Sequence, residues 1–108
     1  MWSRNYEDYD LLVYSANWPD KRMEAWKTLL KARAIENQSY VIGVNCFGVD
    51  AWKNSYSGSS MLVGFDGRLI REIPEGEQIV NAELERDKLN KFRSDFPFLK
   101  DRDPVRFI

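Results

Sequence analysis

The stretch LLVYSANWPDKRMEAWKTLLKARAIENQSYVIGVN, residues 11–45, sets two apolar runs of strand length on either side of a helical repeat. LLVYSA (11–16) is preceded by Tyr9-Asp10 and closed by Asn17-Trp18-Pro19. A run without alternation predicts a strand covered on both faces. Asp20 is expected to cap a helix over 20–37, in which Met23, Trp26, Leu30 and Ala34 recur at helical spacing and Leu29 widens the stripe. YVIGVN (40–45) reads as a second buried strand, so the order strand, helix, strand predicts two parallel strands joined by a right-handed crossover.

Beyond Gly48 the character changes. Residues 50–60 read as a polar, aromatic loop with Trp52, Tyr56 and a Gly58-Ser59-Ser60 turn. Three short strand-like runs follow, at 60–65, 69–73 and 78–83. The first two are joined by Asp66-Gly67, a two-residue hairpin signal, and a Pro74-Glu-Gly-Glu77 turn separates the second from the third. Residues 85–94 predict a short charged helix with Leu89 and Phe92 inward, ended before Phe96-Pro97. Residues 98–108 alternate apolar and charged side chains and are expected to form an extended C-terminal tail. No internal repeat, low-complexity segment or linker interrupts the chain, so 1–108 reads as a single α/β (α+β) unit.

Composition narrows the function. A chain of 108 residues buries about two-thirds of its unfolded surface, enough for one modest core. Sixteen Lys+Arg are interleaved with seventeen Asp+Glu for a net charge of −1, so neither nucleic acid nor an anionic membrane is an expected partner. No run approaches the roughly 20 apolar residues of a membrane span. The opening MWSRNYEDYD lacks the basic-then-apolar order of a signal peptide. A single cysteine forms no internal disulfide, which fits a reducing compartment, and the cytoplasm is the expected location. With no histidine, Cys-His and Ser-His-Asp hydrolysis and histidine-bound zinc are excluded. Cys46, in VNCFGVD (44–50), would therefore need another activator, because a thiol is a poor nucleophile at its free pKa of about 8.5. A small apolar residue at a strand end is the expected role.

Several phrases together carry a family resemblance: YDLLVYSANWPDKR (9–22), AWKTLLKARAIENQSYVIGVN (25–45), GVD (48–50), YSGSS (56–60), FDGRLI (65–70) and KFRSDFPFLKDRDPVRF (91–107). They resemble the C-terminal part of the nitrilase superfamily of carbon–nitrogen hydrolases, within its omega-amidase branch, and the resemblance covers essentially every residue. It implies the C-terminal half of a four-layer α-β-β-α sandwich, hydrolysis of small dicarboxylic monoamides, and neither a metal nor an organic cofactor. It also implies a glutamate base, a lysine that stabilises the tetrahedral intermediate and a cysteine nucleophile, all in the part of the family pattern preceding this chain. Trp2-Ser3-Arg4-Asn5 resembles the residues just after the Arg-Phe-Pro phrase that follows that nucleophile. No catalytic residue is therefore assigned. Cys46 does not occupy the nucleophile position, and neither Lys31 nor Glu36 matches the family's lysine or glutamate motif.

The remaining candidates are walls and contacts. Asn17 and Trp18 leave the first strand at its carboxyl end, where ligands gather in open parallel sheets. The resemblance implies that this turn faces the acyl-enzyme pocket, whereas in the plainer reading Trp18 plugs the helix N-terminus. Arg4 is a candidate for a substrate carboxylate, against an ion pair with Glu7, Asp8 or Asp10. Arg33 and Glu36 stand three apart on the helix. With Trp26 and Leu30 they form the expected interface set, since the family places this helix at a dimer interface; an ordinary solvated pair is the alternative.

Half a sandwich would leave an apolar sheet face and open strand edges, and such surfaces recruit partners. The expected partner is a second copy or the missing N-terminal half, with a small amide bound only in the completed enzyme. Two functions remain in view: an enzyme part inactive alone, or a non-catalytic oligomerisation or binding module derived from the same fold.

Overall fold

The chain folds around one four-stranded mixed sheet with helices at its side, and the computed structural model describes residues 3–5, 7–73, 75–104 and 106. Trp2 and Pro74 of the expected terminal phrase and turn, and Val105, Phe107 and Ile108 of the tail, lie outside the described residues. In chain order the elements are β1 (Leu11–Ala16), α1 (Met23–Asn37), β2 (Tyr40–Asn45), β3 (Phe47–Val49), β4 (Ser55–Ser57), β5 (Ser60–Val63), β6 (Leu69–Ile73) and α2 (Arg86–Asp95). The large sheet runs β1-β2-β5-β6; β1 and β2 are parallel, from Leu11 beside Tyr40 to Ala16 beside Asn45, and the other pairs are antiparallel. β3 and β4 form a separate antiparallel hairpin.

One face of the sheet is packed. Trp26, Leu30 and Ala34 of α1 bury against Val41, Met61 and Val63, with Leu12, Tyr14, Ala16, Trp18 and Met23 around them. Gly43 lets the helix approach: a Cβ there would lie 2.4 Å from Leu30 Cδ1. The chain leaves α1 through Gln38 in the left-handed region (φ 44°), whose N–H and that of Ser39 return to the carbonyls of Ile35 and Ala34.

The opposite face is where the structure departs from expectation. β1 alternates instead of being covered on both sides: Val13 is 55% exposed and Val44, on the same face of β2, is 48% exposed. Successive side chains of a strand point to opposite faces, so a run of apolar residues declares two apolar faces without stating what covers them. Here α1 covers only one. The result is one α layer on one β layer, half of the four-layer α-β-β-α arrangement.

Other boundaries shift for local reasons. Residues 20–22 form a single 3-10 turn and the α-helix begins at Met23. Asp20 does not cap it, because its carboxylate is taken by the β3–β4 hairpin. The expected loop over 50–60 contains β4, and the Asp66-Gly67 signal produces a three-residue connection between Gly64 and Arg68 with Gly67 at φ 84°. The expected strand at 78–83 is absent: the segment carries a short apolar run but joins no ladder, and Ile79 is 93% exposed. Phe98–Asp101, expected as extended tail, is a 3-10 turn that buries Leu99.

Polar residues fasten the amino ends of β1 and β2. Arg93 of α2 donates to the carbonyls of Gln38 (2.9 Å) and Tyr9 (2.9 Å) and to the Asp10 carboxylate (2.6 Å). Asn5 is fully buried and donates to Asn37 Oδ1, to the Asn37 carbonyl and to the Tyr9 carbonyl. Burial, with Tyr14 adding to it, pushes Tyr9 up to about 12, so its hydroxyl remains a proton donor to the Ser3 carbonyl. With this end closed by hydrogen bonds, the carboxyl ends are the part of the parallel pair left to the loops.

Candidate functional site at the carboxyl ends of the parallel strands

β1 and β2 end side by side, and the Cys46 N–H still donates to the Ala16 carbonyl (3.2 Å). Beyond that point the ladder is continued by a side chain. Asn45 is 8% exposed; its Oδ1 accepts from the Trp18 N–H (2.6 Å), and its Nδ2 donates to the Trp18 carbonyl and the Gly58 carbonyl, both at 2.8 Å. The Asn45 N–H donates to Ser60 Oγ (2.9 Å). One carboxamide thus uses both its protons and its oxygen to join the Asn17-Trp18-Pro19 turn to the Gly58-Ser59-Ser60 turn. The pairing with Trp18 imitates a strand partner, offering an acceptor to its N–H and a donor to its carbonyl.

Trp18 stands on the helix side of this frame. Its indole N–H donates to the Arg22 carbonyl (2.6 Å), the Arg22 guanidinium lies 4.8 Å from its ring centre, and the Trp26 ring is 5.6 Å away. Trp26 in turn donates to the Ser59 carbonyl (2.9 Å). Trp18, Trp26, Leu12 and Tyr14 line a cleft of about 440 Å³ beside α1. A second cleft, of about 750 Å³, opens on the other face of the sheet, between Val44, Asn45, Cys46 and Leu62 and the irregular segment 76–84. Asn45 connects the two: it lines the larger cleft, and its carboxamide is bound to Trp18 of the smaller one. Asn17 is exposed on the turn between them.

The β3–β4 hairpin is tied to the same end of the sheet. Asp20 accepts from Ser55 Oγ (2.5 Å) and from the Ser57 N–H (2.7 Å), and these hydrogen bonds, that of Ser55 first, hold its carboxyl below the usual range. Within the hairpin Asp50 accepts from the N–H groups of Trp52 and Asn54, the Asn54 side chain and the Tyr56 hydroxyl. The Asn54 hydrogen bond is the main cause of a lowered Asp50 pKa, and the bond to Asp50 in turn raises Tyr56. This is an Asx-type turn built by one carboxylate, and it leaves Phe47, Val49 and Trp52 exposed along the hairpin.

The other candidates lie apart. Arg4 lines a separate cleft with Arg33, Glu36, Asn37 and Arg102, so the structure groups it with the helix pair and not with Asn17 and Trp18. Arg33 and Glu36 are paired at 2.6 Å. Trp26 and Leu30, expected at an interface, are buried against the sheet within this chain; Leu29 and Ile35 are the apolar residues that α1 leaves exposed. Among the described residues no cluster of three or more histidine, cysteine, aspartate or glutamate side chains is placed to hold a metal, and no helix is long and apolar enough to cross a membrane. The roles of Asn45, Asp20 and Asp50 in this frame were not expected, the expectation for Asp20 being a helix cap. Their only signals were a polar residue closing an apolar strand and two aspartates next to turns.

Comparison with known proteins agrees with this architecture. The carbon–nitrogen hydrolase family model matches residues 5–94. The omega-amidase YafV of Yersinia enterocolitica is 43% identical over 104 residues, which are 95% of this chain and 41% of that protein. The 2-oxoglutaramate amidase of Paenarthrobacter nicotinovorans is 42% identical over 92 residues, 85% of this chain and 31% of that one. Among solved structures, XC1258 from Xanthomonas campestris, a CN-hydrolase superfamily protein with an arsenic adduct in its active site, superimposes with a TM-score of 0.90 at 42% identity, over 94% of this chain and 38% of that one. The chain thus spans well under half the length of the relatives it matches. It belongs to the carbon–nitrogen hydrolase family, in the omega-amidase-like branch of the nitrilase superfamily.

Proposed function

We propose that these 108 residues are the C-terminal portion of an omega-amidase-like hydrolase that cleaves the amide of small dicarboxylic monoamides, and that they do no chemistry alone. Amide hydrolysis through a covalent intermediate needs an activated nucleophile, a base to move its proton and donors for the developing oxyanion. The residues here supply turns and clefts instead. Cys46 borders the larger cleft, in a chain with no histidine to activate it. The observation that carries the reading is the close superposition on a CN-hydrolase structure with more than half of that longer chain left over. The reacting carboxylate, lysine and thiol are assigned to polypeptide outside these residues, and Asn17 and Trp18 to the pocket wall.

The partner follows from the part of the second sheet face that residues 76–84 leave open. Leu11, Val13 and Val44 expose apolar surface that a second β layer would bury, with face-to-face sheets about 10 Å apart. The preferred occupant is the N-terminal half of the fold, and a second copy takes its place when that half is withheld. The lone cysteine is compatible with a cytoplasmic setting.

Ammonia release from succinamate tests the activity. The chain mixed with a separately produced N-terminal half is expected to turn over, and the chain alone is not; turnover by the chain alone that disappears in Cys46→Ser would sink the proposal. A stable complex without turnover would favour the non-catalytic module. Sedimentation of the chain alone should show self-association, and a monodisperse monomer that unfolds cooperatively would contradict the partner assignment.

A further inference from the structure

We propose that Asn45 is a positioning residue for the substrate pocket: its carboxamide locks the Trp18 turn to the Gly58 turn and so fixes the pocket wall. The proposal rests on the amidase reading for its functional consequence, though not for its geometry. Three hydrogen bonds from a single buried side chain cross between segments far apart in sequence, and two of them close a ring with the backbone of one residue, Trp18. No other residue type of this size can do that. Aspartate has the same shape but no proton to donate, so it would set a carboxylate against the carbonyls of Trp18 and Gly58. Leucine would take these partners from the part-buried Trp18 N–H and carbonyl and from the buried Gly58 carbonyl.

The site is otherwise assembled from loops. The Trp18 turn has no ladder partner once β1 ends at Ala16, and the Gly58 turn is held in the left-handed region at φ 80°. Ordered loops at the end of a rigid sheet need such a support if a wall is to keep its place, because a displacement of a fraction of an ångström costs binding or rate. Trp26 adds a second tie through the Ser59 carbonyl, on the same turn. Asn45 therefore acts on substrate through Trp18, without touching the reacting bond.

The experiment compares Asn45→Asp, Asn45→Ser, Trp18→Ala and the double variant N45D/W18A, each mixed with the N-terminal half. Asn45→Asp is expected to raise KM for succinamate about tenfold while kcat stays within about threefold. The double variant should be no worse than Trp18→Ala, since both changes remove one wall. Additive effects, or a loss of kcat with KM unchanged, would overturn the proposal. Amide exchange in the chain itself gives an independent readout: Trp18 and Gly58-turn amides should exchange about tenfold faster in the variant, with the amides of α1 unchanged. Asn45→Ser, which adds no charge, takes the same test if the aspartate variant fails to fold. Should the wild-type mixture be inactive, the amidase reading falls, and unchanged Trp18 exchange in the variant would remove the Asn45 assignment as well.

Discussion

Replacing Gly43 with alanine tests the contact on which the fold turns. A Cβ at this position would lie 2.4 Å from Leu30 Cδ1, 2.7 Å from Trp26 Cζ2 and 3.0 Å from Leu30 Cδ2, whereas carbon atoms rest at about 3.5–4.0 Å. Neither neighbour can swing aside, because Leu30 and Trp26 are both buried in the core and the Trp26 indole is hydrogen-bonded to Ser59. Relief must come from α1 moving outward by on the order of 1 Å, which loosens its packing along Val41 and Met61. Overpacking of this kind costs about 1–3 kcal/mol. The opposing gain from a stiffer unfolded chain is about 0.4–1 kcal/mol, so the net loss should be about 1–2 kcal/mol. Urea unfolding at fixed protein concentration, followed by tryptophan emission, measures it. Leu30→Ala alone should cost about 2–5 kcal/mol, but it removes both clashing methyls, so the double variant G43A/L30A should fall short of additivity by about 1 kcal/mol. A Gly43→Ala protein as stable as wild type, or strict additivity in the double variant, would refute the close-approach argument.

Three further outcomes are expected. Gly67→Ala should destabilise by about 1–2 kcal/mol, since φ 84° disfavours any side chain. Its Cβ would also meet Ile35 Cγ1 at 2.5 Å; Ile35→Ala in thermal melts should restore only the part due to that contact. Arg93→Lys keeps the charge and loses the fork that reaches Gln38, Tyr9 and Asp10 together, so a loss of about 1–2 kcal/mol is expected, and a melt unchanged from wild type would count against the latch. Acid should loosen the β3–β4 hairpin before the sheet. Asp20 and Asp50 have folded pKa values below the unfolded value of about 3.9. Their contribution is therefore present above that value and lost as pH falls through the lower folded ones. Protection of the Ser57 and Asn54 amides, taken relative to the intrinsic exchange rate at each pH, should fall below about pH 4. Asp20→Asn should remove the pH dependence at Ser57, and protection that persists unaltered in acid would exclude this role.

Much of the fold was legible because its signals are local and periodic. The apolar runs at 11–16 and 40–45 with a helical repeat between them led to β1, α1 and β2 with the parallel pairing observed. Asp66-Gly67 led to the β5–β6 hairpin, and Leu89 to the buried side of α2. The strand expected at 78–83 failed for a physical reason: a short apolar run makes a strand possible, but a strand exists only when another backbone takes its hydrogen bonds, and none of the described strands pairs with this segment. β4 was missed for the converse reason. Ser55-Tyr-Ser57 has little apolar pattern, and it is a strand because Asp50 closes the turn before it and Asp20 receives its hydroxyl and N–H groups.

The candidate site divides along the same line. Sequence alone located the Asn17-Trp18 turn, since a strand that ends in Asn-Trp-Pro must release its chain at the sheet's carboxyl edge, and the family phrases along the whole chain identified the hydrolase family. It also placed Trp26 and Leu30 on one helical stripe, because spacing along a helix is fixed by its geometry. Only the tertiary structure decided that this stripe faces inward, that Arg4 sits with Arg33 and Glu36, and that Asn45 joins Trp18 to Gly58. Those relations depend on hydrogen bonds and contacts between residues many positions apart, and they come into being when the chain closes on itself; nothing in the local order of residues encodes which distant carbonyl a carboxamide will meet.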